Sequence, residues 1–451
     1  VKLPAYPRTK PSGVEWLGDV PEHWAVFAMR RTATRYAGGT PDRSNDSYWE
    51  EGTIPWINSG AVNQGLITEP SALITDEAYR SSSARWVPKG ALVMALAGQG
   101  KTKGMVAQTA IATTCNQSMA AIRPAPPTEA RYLYWLLVSQ YEHIRNMAGG
   151  EARDGLNLEI LGSIPCLKAP AAEQQAIATF LDRETARIDR LVTKKQELIE
   201  RLKEKRTALI SRTVTRGLPP AAARAAGLPE NPPLKSSGID WIGEIPKHWD
   251  VVPYKRVCTR VDVGIAEAAT HAYCDDGVPI IRSTNVKPNK LDTSDVLRIE
   301  PWFAAKNKSK TLRAGDLVTV RTGYPGTTAA VPPEFDGCQC FTLVLSTPMR
   351  TAHGPFFSWM LNSNPGAAYF EMEGWGTAQT NISVPIVRFI PVPRPPLPEQ
   401  IAIATYLDLE TSKLDALVGK AEEAVERLQE YRTALITAAV TGKIDVRKAA
   451  T

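Results

Sequence analysis

The chain has 451 residues, 22% charged and 43% hydrophobic, with a formal net charge of +6 and a pI near 8.9. One hydrophobic core rarely serves so long a chain, so more than one domain is expected, and so mild a basic balance permits a polyanionic partner without requiring one. No run of about 18 apolar residues marks a membrane span. The N-terminal "VKLPAYPRTKPSG" lacks the apolar core of a signal peptide. The cysteines Cys115, Cys166, Cys258, Cys274, Cys338 and Cys340 are scattered without metal-ligand spacing. They read as free thiols of a cytoplasmic protein, with no metal site.

In chain order, the first distinctive segment is "SGVEWLGDVPEHW" at 12–24, which returns as "SGIDWIGEIPKHW" at 237–249. His23 and His248 lie in the repeated His-Trp pairs without a Cys, Ser or Asp constellation beside them. Packing next to Trp24 and Trp249 is the expectation, and no catalytic residue is assigned.

The sequence then turns β-like, as in "ALVMALAG", and a helical segment comes next near 129–145. "ALAGQGKT" at 95–102 fits a relaxed phosphate-loop pattern, but the residues after it make a poor helix, so a glycine-rich turn presenting lysines is expected. Arg43, Lys101, Lys103, Arg153 and Asn157 are the candidate nucleic-acid contacts here, because Lys and Arg meet phosphates or guanine and amides read adenine.

Residues 173–217 align without a gap on 399–443, with about 26 of 45 positions identical. A four-three spacing of mostly apolar positions predicts a long helix in each copy. The pairing positions expected from it are Ile177, Leu181, Ile188, Leu191, Leu198, Leu202 and Leu209, then Ile403, Leu407, Leu414, Leu417, Leu428 and Leu435. Gly217 and Gly442 are the expected helix stops. A stripe this long cannot be buried by one helix alone, so the two are expected to pair antiparallel as a coiled coil about an internal pseudo-two-fold axis.

Between the copies, the Pro/Ala/Gly-rich stretch 218–236 reads as an exposed linker. It contains "NPPL" at 231–234, which lacks the aromatic residue of an adenine methyltransferase motif. The second β-rich region contains "GVPIIRST", "LVTVRTG" and "FTLVLS", with a helical segment after it near 354–370. Its candidate nucleic-acid contacts are Arg282, Lys306, Lys308, Arg321, Gln379 and Asn381. Between the repeated segments the two halves have nearly equal length but only scattered sequence echoes. The expected fold class is α+β: two mixed α/β domains, 1–165 and 237–391, separated by two long helices in 166–217 and 392–451.

"SGIDWIGEIPKHW", "PEQIAIATYLDLETSKLDALV" and "RLQEYRTALITAAVTGK" closely resemble the specificity subunit of Type I restriction-modification systems, and the resemblance runs end to end. It implies two target recognition domains, each reading one half of a split, asymmetric DNA sequence, held apart by the long helices. It also implies two methyltransferase subunits carrying S-adenosylmethionine, and restriction subunits that use ATP and Mg and cleave DNA. This chain itself would then be non-catalytic. The alternative is a coiled-coil scaffold or adaptor whose two heads bind proteins.

Overall fold

The computed structural model describes residues 4–98, 100–147, 155–267, 270–374 and 381–447. The chain divides into two compact units, Val1–Lys195 with Glu423–Thr451, and Gln196–Glu422. Each unit holds one mixed head and a part of each long helix.

The first long helix is Ala171–Arg216 and the second Leu397–Val440. Glu173 and Glu399 lie in their first turns, where a carboxylate meets the positive end of the helix dipole. Gly217 and Gly442 end them at φ +81° and +72°, the left-handed conformation in which glycine is unstrained.

In the first unit the early part of one helix runs antiparallel to the late part of the other. Glu173 lies by Arg447, and sixteen residues on, Asp189 pairs with Arg432 at 2.8 Å. In the second unit Arg206 pairs with Asp415, also at 2.8 Å. Asp189 and Asp415 are equivalent in the repeat, as are Arg206 and Arg432, so each copy of the aspartate meets the arginine of the other copy.

The seam differs from the one expected. Leu191, Leu198 and Leu417 are 41%, 42% and 50% exposed. The buried or half-buried positions include Thr185, Ile188, Val192, Lys195, Ile199, Leu202 and Arg206, and the equivalent Thr411, Leu414, Val418, Ala421, Val425, Leu428 and Arg432. Ile177, Leu181, Ile403, Leu407 and Leu435 are buried, and Leu209 is half-buried. Two successive four-residue steps, 177 to 181 to 185 and 403 to 407 to 411, put every second later position one residue beyond a strict heptad. The helix's 3.6-residue period gains on a 3.5-residue repeat, and such a step absorbs the difference.

The two heads share a topology that their sequences conceal. In the first, the strands Ala33–Ala37, Met119–Pro124, Leu92–Ala95 and Val106–Thr109 are neighbours in that order, with Leu66–Ile67 at the edge. In the second, Cys258–Val263, Val344–Pro348, Leu317–Thr319 and Thr328–Ala330 are neighbours in the same order. A second sheet in each repeats the order Ala72–Ile74, Ile54–Ile57, Thr113–Cys115 as Leu297–Ile299, Val278–Ile281, Gln339–Cys340. The helical segments near 129–145 and 354–370 each form two short helices, Ala130–Ser139 with Tyr141–Asn146, and Gly354–Leu361 with Asn364–Glu373. Alternating or wholly apolar strands wrap apolar cores, such as that of Val93, Ala95, Ala107 and Met119 in the first head.

The same clasp ties each head to the long helices. Trp24 donates to Glu173 at 3.0 Å and Trp249 to Glu399 at 2.7 Å, while the neighbouring His23 and His248 each lie 2.8 Å from the other oxygen. This is the role of the repeated His-Trp pair. Trp135 donates to Asp182 and Trp359 to Asp408. Gln174 accepts from the Glu129 N–H, and Gln400 from that of His353. In the first unit Tyr6 also donates to Glu173.

The stretch expected as an exposed linker is partly structured. It forms the helix Pro220–Ala225, whose Ala223 is buried, and the strand Leu234–Ser236, which pairs with Glu244–Pro246. The thiols of Cys115, Cys166, Cys258 and Cys338 are free and buried, and burial pushes each up to about 12, so they are poor nucleophiles.

Candidate nucleic-acid interface

In each head the hairpin between two neighbouring strands ends in a glycine-rich turn, and a later segment is hydrogen-bonded to its stem. In the first head the turn joins Leu92–Ala95 to Val106–Thr109, and the Leu156 N–H donates to the Leu96 carbonyl at 2.8 Å. In the second the turn joins Leu317–Thr319 to Thr328–Ala330, and the Ile382 N–H donates to the Arg321 carbonyl at 3.0 Å. The contact recurs at equivalent positions and brings Leu156 and Ile382, remote in sequence, to the stems of the two turns.

"ALAGQGKT" is therefore a hairpin turn, not a phosphate loop. A phosphate loop must open onto a helix N-terminus, whereas this segment leads into an antiparallel strand. The turn is braced by its own head, since Tyr141 Oη donates to the Lys101 carbonyl at 2.5 Å and Arg145 to that of Gly100 at 2.6 Å. Lys101 is exposed on it, whereas Lys103 is 7% exposed and so does not face solvent as expected.

The remaining candidates are dispersed. Arg43 is exposed, its guanidinium 5.8 and 5.6 Å from the ring centres of Trp49 and Trp56. Asn157 caps the short helix Leu158–Ser163 by accepting from the Ile160 N–H, so its oxygen has a structural role. Arg282 is half-buried against Asp295, which fixes it within the head. Lys306 is exposed and paired with Glu267 at 2.9 Å, while Lys308 is exposed two residues on. Arg321 Nε donates to the Ile382 carbonyl, and Asn381 accepts from Thr322 Oγ1 at 2.5 Å. Arg153 and Gln379 lie outside the described residues. The candidates brought together are Arg321 and Asn381, through the contacts of Arg321 with Ile382 and of Thr322 with Asn381.

Sequence reasoning passed over Tyr324, which projects from the second turn 83% exposed. Its signal was available: an aromatic residue between glycines, with proline next to it. The clasp role of Glu173, Glu399, Asp182 and Asp408 was also passed over, although all lie in the duplicated segment. Among the described residues no group of three or more His, Cys, Asp or Glu is placed to hold a metal ion, and no helix is long and apolar enough to cross a membrane.

A family model described as a Type I restriction modification DNA specificity domain matches residues 21–201. Those residues are similar to a Type I DNA specificity domain. The matched region takes in the first head, both partners of the Trp24–Glu173 clasp and part of the first long helix. The curated specificity subunit of the Type I restriction enzyme EcoR124I/EcoR124II from Escherichia coli is 28% identical over 152 residues, 33% of this chain and 37% of that protein. The chain thus spans well under two thirds of that relative's length in the match. Two solved structures are similar over 94% of this chain at 16% identity. One is a chain from a study of complex assembly and conformational transition in a type I R-M system, with a TM-score of 0.65 and 99% of that chain covered. The other is the HsdS subunit from Thermoanaerobacter tengcongensis, with a TM-score of 0.55 and 98% covered. At that identity the likeness is one of fold, and it extends well beyond residues 21–201.

Proposed function

We propose that this chain is the DNA-reading subunit of a Type I restriction-modification complex, in which each head reads one half of a split, asymmetric duplex target. The observation that carries the reading is a duplicated frame bearing unlike heads. The clasps and the crossed Asp–Arg pairs recur position for position, while the turns the heads present differ in length, charge and aromatic content. A complex that docks the same partner twice benefits from a repeated frame, and two different half-sites call for two different heads.

Chemistry in this reading belongs to partner chains: two methyltransferase subunits that hold S-adenosylmethionine and modify adenine, and restriction subunits that use ATP and Mg²⁺. The chain itself contributes recognition and is not catalytic, and the complex works in the cytoplasm. Leu191 and Leu417 support the docking part of the proposal. They are equivalent in the repeat, and both leave an apolar side chain in solvent on a long helix, as a surface presented twice to one kind of partner would.

Methylation sequencing of DNA from cells expressing the chain with and without its methyltransferase partner tests the reading. The expected result is methyl-adenine confined to a split asymmetric motif, only when both are present. A stable complex that neither methylates nor binds DNA selectively would overturn it in favour of a protein-binding scaffold.

A further inference from the structure

Tyr324 sits at the tip of the second head's turn, and the turn is built to hold it there. Val320 and Gly326 close the turn through a 2.9 Å backbone hydrogen bond, and Gly323 and Gly326 adopt φ of +93° and +89°. A Cβ on Gly326 would lie 2.4 Å from the ring of Phe370, itself buried, so the base of the turn is pressed onto the core. The stem is fixed by Arg321, which both accepts from and donates to the backbone of the buried Ile382, and by the contact of Thr322 with Asn381. A rigid stem that lifts a large aromatic ring 83% into solvent gains the fold nothing by burial.

Resting on the DNA-reading function proposed above, we infer that Tyr324 is a specificity-determining residue of the second head, its ring packing against bases of the duplex half-site that this head reads. The turn occupies the position of the first head's glycine-rich turn, where Lys101 is exposed. A phenol ring carries no positive charge to match a phosphate, but it has an apolar face for base edges or a widened step and a hydroxyl beside it. The two heads therefore contact DNA differently through equivalent turns, the first by charge at Lys101 and the second by the ring of Tyr324.

The test uses the full chain in complex with its methyltransferase partner. Methylation sequencing of the wild-type complex first defines both half-sites, and if no split motif emerges, it is the DNA-reading function that fails. With the motif in hand, Tyr324→Ala is expected to relax discrimination at one or two positions of one half-site on the order of 10-fold, leaving the other half-site unchanged. The unchanged half verifies folding within the same molecule. Binding of duplex oligonucleotides carrying the motif is expected to keep its salt dependence in Tyr324→Ala and to lose about one unit of salt slope in Lys101→Ala. Tyr324→Phe, which keeps the ring, is expected to retain wild-type selectivity. Wild-type selectivity at both halves in Tyr324→Ala would overturn the inference, as would a sequence-independent loss of affinity with a reduced salt slope. A loss in Tyr324→Phe as deep as in Tyr324→Ala would overturn the role of the ring.

Discussion

Glu173 illustrates how one carboxylate can fasten a head to its frame. Burial acts to raise its pKa, but the hydrogen bonds from Trp24, His23 and Tyr6 outweigh burial and hold the carboxyl below its ordinary value of 4.5. A carboxylate depressed in the folded state contributes stability above its unfolded pKa, and that contribution is lost as the pH falls through the folded value. Glu173→Gln is expected to destabilise the first unit by about 1–3 kcal/mol at neutral pH. Below the ordinary carboxylate range the gap to the wild type should narrow. Thermal unfolding of both proteins across that range checks this, and a gap that stays constant on acidification would show that the charge of Glu173 is not what matters. At this scale the sequence disclosed little. The repeated His-Trp pair was visible, but its carboxylate partner lies about 150 residues away and only the fold brings it near. Lys101 and Lys103 look alike in sequence, yet one is exposed and the other buried, because a hairpin turn has no periodicity from which to read a face.

At the scale of elements, both long helices were legible in length and in their stops, since duplicated apolar spacing and a terminal glycine act locally. The phase of the seam was not, because leucine at an expected slot looks the same whether it is buried or displayed. Leu198 and Ile199 are adjacent and both apolar, but Leu198 is exposed and Ile199 buried. Ile199→Ala is therefore expected to cost about 2–4 kcal/mol, and Leu198→Ala less than about 1 kcal/mol. Denaturant unfolding of the two variants measures the difference, and equal costs, or a larger cost at Leu198, would restore the strict heptad. The exposed Leu191 and Leu417 belong to the same account. Replacing both by Gln should leave stability within about 1 kcal/mol of the wild type while weakening assembly with the proposed methyltransferase partner, as measured by co-purification. Unaltered assembly would remove these residues from the docking surface.

For the molecule as a whole, two mixed α/β heads within an internal repeat were legible in the sequence, but their common strand order was not, because strand order is fixed by which faces are buried and many residue choices satisfy the same pattern. The structure makes their equivalence specific enough to exchange. Each head is entered after a strand, Ala25–Ala28 or Asp250–Pro253, and left before its antiparallel partner, Pro165–Lys168 or Pro391–Arg394. Entry and exit are tied by the same bond, from the Met29 N–H to the Ile164 carbonyl and from the Tyr254 N–H to the Ile390 carbonyl, both 2.9 Å. Placing residues 254–390 where 29–164 stand would put Trp359 opposite Asp182 and the His353 N–H opposite Gln174, the same pairs those residues make with Asp408 and Gln400 in their own unit. The chimera is expected to fold and to direct methylation to a split motif whose two halves carry the same bases, with the half formerly read by the first head gone. Methylation sequencing reads this outcome directly. A folded chimera that kept the original motif would mean that the frame, not the heads, reads the bases. A chimera that failed to assemble, although each clasp residue was present, would mean that head and helix are matched by more than the shared clasps.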